Sequence, residues 1–205
     1  MNARYFAATL LALAALNGGH VAVAQTTQPA QPTPGVPSTP GTSDTPAATK
    51  TPINSDSELD ADDRSFLESA AQSGHLEVQG SKLALEKSGN AEVKDFAQKM
   101  VDDHGKAGQK LADLAKQKGF EAPTEPSLMQ QAKLKTLGLR EEGFDKAYAD
   151  GIGVSAHEDA VKLFQEASTD AKDADVKQFA SETLPTLQQH LQMAQTLQQS
   201  VSKTP

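Results

Sequence analysis

The 205-residue chain has no cysteine and no tryptophan. The first absence excludes disulfide staples, thiolate metal ligands, a thiol nucleophile and a lipid-anchored N-terminal cysteine. Aromatic residues make up only 4% of the chain, too few for the stacking platforms that hold single-stranded nucleic acid. Basic residues are short as well: 19 Lys+Arg face 27 Asp+Glu, a formal charge of −8 with no basic face. Nucleic acid and anionic membrane surfaces are therefore poor partners, and a protein partner is not identified by any motif. The alternation of apolar and polar residues expected of half-buried strands is also missing. No phosphate-cradling glycine loop and no nucleophile–base pair stands out, so the sequence carries no signature of an enzyme.

What is present falls into three stretches. Arg4 is followed by an apolar run from Tyr5 to Leu16, then by Gly18-Gly19 and the small-residue pattern Ala22-Val23-Ala24. The run is too short for a bilayer, which needs about 20 residues, and the sequence of features reads as a secretory signal peptide over 1–24, cut after Ala24. The expected destination is the periplasm or the exterior, and no later run would anchor the mature chain in a membrane. Residues 25–57 carry Pro29, Pro32, Pro34, Pro37, Pro40, Pro46 and Pro52 in a Thr/Ser/Gln/Ala background. Such a stretch cannot bury enough surface to offset its ordering entropy and is expected to be a disordered spacer.

Residues 58–205 read as helical, rich in Ala, Leu, Gln, Glu and Lys. Phe66, Ala70, Ser73, Glu77, Ser81, Ala84 and Ser88 form one stripe, which Gly89-Asn90 ends. Val93, Ala97, Met100, His104, Ala107, Leu111 and Leu114 form a second, stopped by Gly119 and by Pro123 and Pro126. The short turn between them predicts an antiparallel hairpin. A connector from Phe120 to about Glu142 carries a short helix near Leu128 to Leu137. A third long helix, starting near Arg140, aligns Phe144, Ala147, Gly151, Val154, His157, Val161, Phe164 and Ser168; a fourth aligns Val176, Ala180, Thr183, Leu187, His190, Ala194, Leu197 and Val201, with a kink expected at Pro185. Two hairpins joined by a long crossover predict an all-α, ferritin-like four-helix bundle.

Each long helix places one ionisable residue in mid-stripe: Glu77, His104, His157 and His190. At 1.5 Å per residue, their depths from one end of such a bundle are roughly 19, 22, 26 and 16 Å, a zone about two turns thick. Buried charge is costly unless it is paired or bound to metal. Three imidazoles and a carboxylate suit one divalent transition ion, Zn, Cu, Fe or Ni, with Asp150 and Glu158 as outer-layer candidates. An ion-free Glu–His hydrogen-bond network that fixes helix register is an alternative, and a miscounted register is another. Gly74, Gly80, Gly105, Gly108, Gly151 and Gly153 crowd the same zone, which is read as close helix approach, as space for water or a ligand, or as simple tolerance of glycine in an Ala-rich bundle. Asp102 and Asp103 lie off the stripe and are expected in solvent, as is His75.

The segments Phe66 to Gly74, Phe96 to His104, Phe144 to Tyr148 and Leu184 to His190 resemble, in order, the domain of unknown function 4142 family, over about Asp62 to Leu197. The resemblance implies a ferritin-like fold and an exported bacterial protein. It implies no activity, because none is established for the family; the outer-membrane label some members carry finds no transmembrane strand pattern here. Ferritin-like di-iron sites use Glu-x-x-His pairs, but Val101 and Leu187 stand three residues before His104 and His190. A single ion fits this inventory better than two.

Overall fold

The computed structural model describes residues 59–203, and the expected leader and spacer lie outside them. The described residues are all-α: α1 (Ala61–Lys87), α2 (Ala91–Gln117), α3 (Leu128–Gly138), α4 (Phe144–Tyr148), a π-helical turn (Ala149–Ser155), α5 (Ala156–Asp170) and α6 (Ala174–Val201). No strand occurs among them, and no helix is long and apolar enough to cross a membrane.

Helix starts follow from side-chain oxygens that satisfy free N–H groups. Asp60 accepts from Asp62, Asn90 from Glu92, and Asp173 from both Asp175 and Val176. Ser127 and Gln130 form a reciprocal capping box at α3. Gly119 ends α2 with φ +67°, a conformation open to glycine at little cost. Pro185 stands on the exposed side of α6, which runs unbroken through it.

Helices α1 and α2 pack along each other, as do α5 and α6; α2 also meets α6, and α1 meets α5. The buried carboxylate of Asp63 joins the two pairs by accepting the backbone N–H groups of Lys172 and Asp173, the latter at 2.7 Å. The apolar interior forms two clusters. One contains Phe66, Leu67, Leu111, Leu114, Phe164, Phe179 and Leu187; the other contains Val93, Phe96, Met100, Tyr148, Ile152, Leu197 and Val201. Along α2, α5 and α6 the boundary between the clusters falls at a histidine, with Met100 and Leu111 on either side of His104, Ala156 and Ala160 about His157, and Leu187 and Ala194 about His190.

The third long helix differs from its expected form. It begins at Phe144 rather than Arg140, and the π turn interrupts it from Ala149 to Ser155. Two glycines, Gly151 and Gly153, lie in that turn and weaken α-helical preference there. Close approach holds it in place. A Cβ on Gly80 of α1 would stand 2.9 Å from Cγ1 of the buried Ile152, and a Cβ on Gly153 would stand 3.3 Å from Cβ of Ala194. By contrast, a Cβ on Gly74, Gly105 or Gly108 would meet nothing within 4 Å.

These two kinds of glycine should respond oppositely to alanine. Overpacking costs about 1–3 kcal/mol, whereas Gly→Ala in a helix gains roughly 1 kcal/mol. In urea unfolding, Gly80→Ala is expected to destabilise by on the order of 1 kcal/mol, and Gly74→Ala to stabilise by up to about 1 kcal/mol. A stabilised Gly80→Ala protein would contradict the close contact with Ile152.

Candidate metal centre

The side chains of Glu77, His104, His157 and His190 are all buried and meet in one layer between the two apolar clusters. Centroids of the His104 and His157 rings are 5.2 Å apart, those of His104 and His190 5.2 Å, and those of His157 and His190 5.6 Å. One nitrogen from each ring lies within 4.8 Å of the other two.

Each imidazole is held through one nitrogen. His104 Nδ1 donates to Glu77 Oε2 at 2.9 Å. His157 Nδ1 donates to the Gly153 carbonyl at 2.7 Å, with the Ile152 carbonyl at 3.2 Å. His190 Nε2 donates to Asp103 Oδ2 at 3.1 Å. This leaves His104 Nε2, His157 Nε2 and His190 Nδ1 as the inner set. The first two are 3.2 Å apart and share a hydrogen bond, while His190 Nδ1 is buried with no partner. Anchoring one ring nitrogen to a carboxylate or carbonyl fixes the tautomer and leaves the other free to ligate, the usual arrangement behind metal-binding histidines.

The four groups do not share one protonation state. Burial pushes His104 down, but the charge and hydrogen bond of Glu77, aided by Asp103, carry it above the ordinary histidine range. Burial pushes Glu77 up, yet the adjoining imidazoles, His104 foremost, hold it below the usual carboxylate range. Both shifts favour the charged form of the pair, an imidazolium against a carboxylate. Burial drives His157 down, the pull of Glu77 notwithstanding. His190 falls to about 4 through burial and the charge of His104, against its hydrogen bond to Asp103. The shifts therefore favour neutral rings at His157 and His190 and a charged ring at His104.

Glu77 joins the layer on the Nδ1 side of His104 and His157, outside the compact donor group of three histidines. Its Oε1 is 3.7 Å from His157 Nδ1 and accepts no hydrogen bond. The two outer-layer candidates are elsewhere. Asp150 pairs with Lys146 at 2.6 Å and accepts from Gln198 at 2.9 Å, and Glu158 is exposed. The seven-residue spacing from Asp150 to His157 assumed α geometry, and the intervening π turn rotates the two out of line. Glu158, one residue past His157, lies about 100° around α5.

Asp103 is the residue that periodicity missed. It sits one position off the α2 stripe, but in this packing that flank faces His190 of α6 rather than open solvent, with the Lys99 ammonium 2.7 Å away. The hydrogen bond from Lys99 holds its carboxyl below the usual range. His75 is half-buried rather than solvated, and its Nε2 donates to the Pro123 carbonyl at 3.1 Å. Asp102 is exposed, as expected.

A family model described as a domain of unknown function (DUF4142) matches residues 48–197. No curated protein matches the chain. Among solved structures, the crystal structure of a DUF305 fragment from Deinococcus radiodurans is similar, with a TM-score of 0.61 and 14% identity over 69% of this chain and 98% of that one. At that identity the likeness speaks to fold alone. The family match takes in all four side chains of the polar layer and most of the chain: the protein belongs to the DUF4142 family.

Proposed function

We propose that the protein is an exported, ferritin-like four-helix bundle that binds one transition-metal ion through His104, His157 and His190. Glu77 and Asp103 act behind the ligands by accepting their outer N–H groups. The supporting observation is the histidine cluster: one nitrogen from each ring lies within 4.8 Å of the other two, and each ring has one nitrogen engaged by a carboxylate or a carbonyl. The partnerless His190 Nδ1 is what a missing electron-pair acceptor would leave behind. Metal–imidazole bonds of about 2.0–2.1 Å need inner nitrogens roughly 3.3 Å apart in tetrahedral geometry, so small ring rotations would bring the set to that spacing. Three neutral nitrogens suit Zn, Cu, Fe or Ni. Binding would displace the proton between His104 and His157, so metal affinity should rise with pH. Storage, buffering or sensing of the ion are the roles consistent with this arrangement, in the periplasm or outside the cell.

A second reading has its own support. Most hydrogen bonds of the layer close without an ion, and a polar layer between two apolar clusters would fix helix register by itself. The two readings part on the effect of a chelator. On the metal reading, untagged protein contains about one ion per chain by elemental analysis, a chelator lowers its melting temperature, and His104→Ala/His190→Ala abolishes both effects. Equal metal content in the two proteins would leave only the register network. Asp103→Asn should weaken metal binding by roughly 10–100-fold while leaving all three ligands in place.

The protonation pattern sets the pH response of metal-free protein. His157 and His190 resist protonation when folded, while the unfolded chain takes protons up below about 6.5. The unfolded state then binds more protons, so their contribution falls on acidification, for His190 down to about 4. Each such histidine costs up to about 1.4 kcal/mol per pH unit in that window. His104 acts in the opposite sense: its raised pKa adds stability present below 6.5 and lost as pH rises through the folded value. Glu77, held low, contributes above 4.5 and loses that contribution as pH falls through its folded value. Melting temperature in chelator-treated samples should therefore drop between pH 7 and pH 5, with a shallower slope in His190→Gln. A flat wild-type profile would contradict the neutral assignment of His157 and His190.

Export is tested separately: mass spectrometry of the mature protein from its native host should find an N-terminus at Gln25.

A further inference from the structure

Every large apolar side chain that stands exposed among the described residues belongs to α3 or its C-cap: Leu128 is 85% exposed, Met129 82% and Leu139 74%. The helix carries apolar residues on two opposite sides. Leu134 and Leu137 are buried, and α3 packs on α1. On the other side Leu128, Ala132, Thr136 and Leu139 follow at steps of three and four, with Met129 beside them, and all five are exposed. Packing on the bundle requires only the first set.

Cations edge this outer stripe. At about 100° per residue, Lys133 falls on one flank and Lys135 on the other, and Arg140 follows at the C-terminal end. Lys87 of α1 joins it there by donating to the Gly138 carbonyl at 2.8 Å. All four are exposed, and Lys133, Lys135 and Arg140 have no acidic partner among the described residues. No acid occurs from Pro126 to Arg140; Glu125 lies before the stripe, bonded to Gln79, and Glu141 and Glu142 lie after it. Total charge speaks against an anionic surface, but screening over about 8 Å at physiological salt lets the local pattern decide.

An exposed apolar patch rimmed by polar residues marks a contact with protein or with lipid. Two features favour lipid. A stable protein interface takes roughly 20–30 residues a side and is poor in lysine. Helix α3 presents one face of 11 residues, with lysine on both edges. Protruding leucine and methionine flanked by lysine and arginine suit a bilayer surface, the apolar side chains among the acyl chains and the cations at the phosphates. We infer that the outer face of α3 is a contact site for a phospholipid bilayer bearing anionic headgroups, entered by Leu128, Met129 and Leu139. The contact is peripheral, since no described helix is long and apolar enough to cross a membrane, and it does not depend on the metal centre. The acidic remainder of the chain is repelled by the same surface, which orients the bundle with α3 toward the lipid.

The test is sedimentation of protein purified from its native host with vesicles of phosphatidylethanolamine and phosphatidylglycerol, and with vesicles of phosphatidylcholine alone. Binding at least tenfold tighter to the anionic vesicles, and weakened by added salt, is expected. Leu128→Ser/Met129→Ser and, independently, Lys133→Gln/Lys135→Gln should each weaken it at least tenfold, with melting temperature and metal uptake unchanged. Because the chain has no tryptophan, Met129→Trp supplies a single indole. Its fluorescence should be quenched by lipids brominated on their acyl chains, while that of Lys110→Trp, at an exposed position of α2, is not. Protein left in the supernatant, equal binding to the two kinds of vesicle, affinity unaltered in both double variants, or an unquenched Met129→Trp indole would overturn the proposal. Self-association abolished by Leu128→Ser/Met129→Ser, without vesicle binding, would also overturn it and assign the face to a second copy.

Discussion

The Glu77–His104 ion pair is the constraint around which the interior is arranged. An imidazolium and a carboxylate, each almost wholly out of water, are tolerable only as partners at hydrogen-bonding distance. That requirement sets the depth of α1 against α2, since a slip of one turn would strand both charges in hydrocarbon. His157 extends the constraint to α5 through its contact with His104, and Asp103 extends it to α6 through His190. The apolar clusters on either side can then pack independently, because the polar layer between them has already fixed how far each helix is inserted.

The π turn belongs to the same logic. In an unbroken α-helix the carbonyls four residues back are committed to backbone N–H groups. Widening the helix between Ala149 and Ser155 loosens that commitment and lets the Gly153 and Ile152 carbonyls face His157 Nδ1. Tyr148 at the start of the turn bonds Ser81 at 2.8 Å, and Ile152 fills the notch at Gly80. Burial, with the nearby Glu77 charge adding to it against the pull of Ser81, keeps the Tyr148 hydroxyl protonated far above the ordinary phenol range. This is a polar contact on the flank of the layer, and it locks the segment that orients His157.

Much of this could be read from residue spacing. Three- and four-residue steps identified the buried faces of α1, α2, α5 and α6, and glycine and proline marked their ends, because burial and helix termination are local properties of the chain. The inward turn of His104, His157 and His190 followed from the same count. Other features depend on what neighbours do. Asp103 looks solvated on an isolated α2 and acquires its partner only when α6 lies alongside. The π turn inserts a phase shift that no 3.6-residue template contains, so Asp150 was aligned with His157 on a geometry the helix does not keep. His75 gained its partner from a connector whose path is set by tertiary contacts. Glu77 was correctly placed inside, but its position behind His104 rather than beside the inner nitrogens depends on side-chain rotamers that spacing does not encode.

The layer also divides evenly along the chain. Glu77 and His104 come from the first helical pair, His157 and His190 from the second, and the buried Asp63 carboxylate ties the start of one to the turn of the other. Neither half owns a complete set of inner nitrogens. The cluster is thus a property of the docked halves and cannot exist in a partly folded chain or in a fragment holding only one of them. The three imidazoles meet only once both pairs have folded and docked.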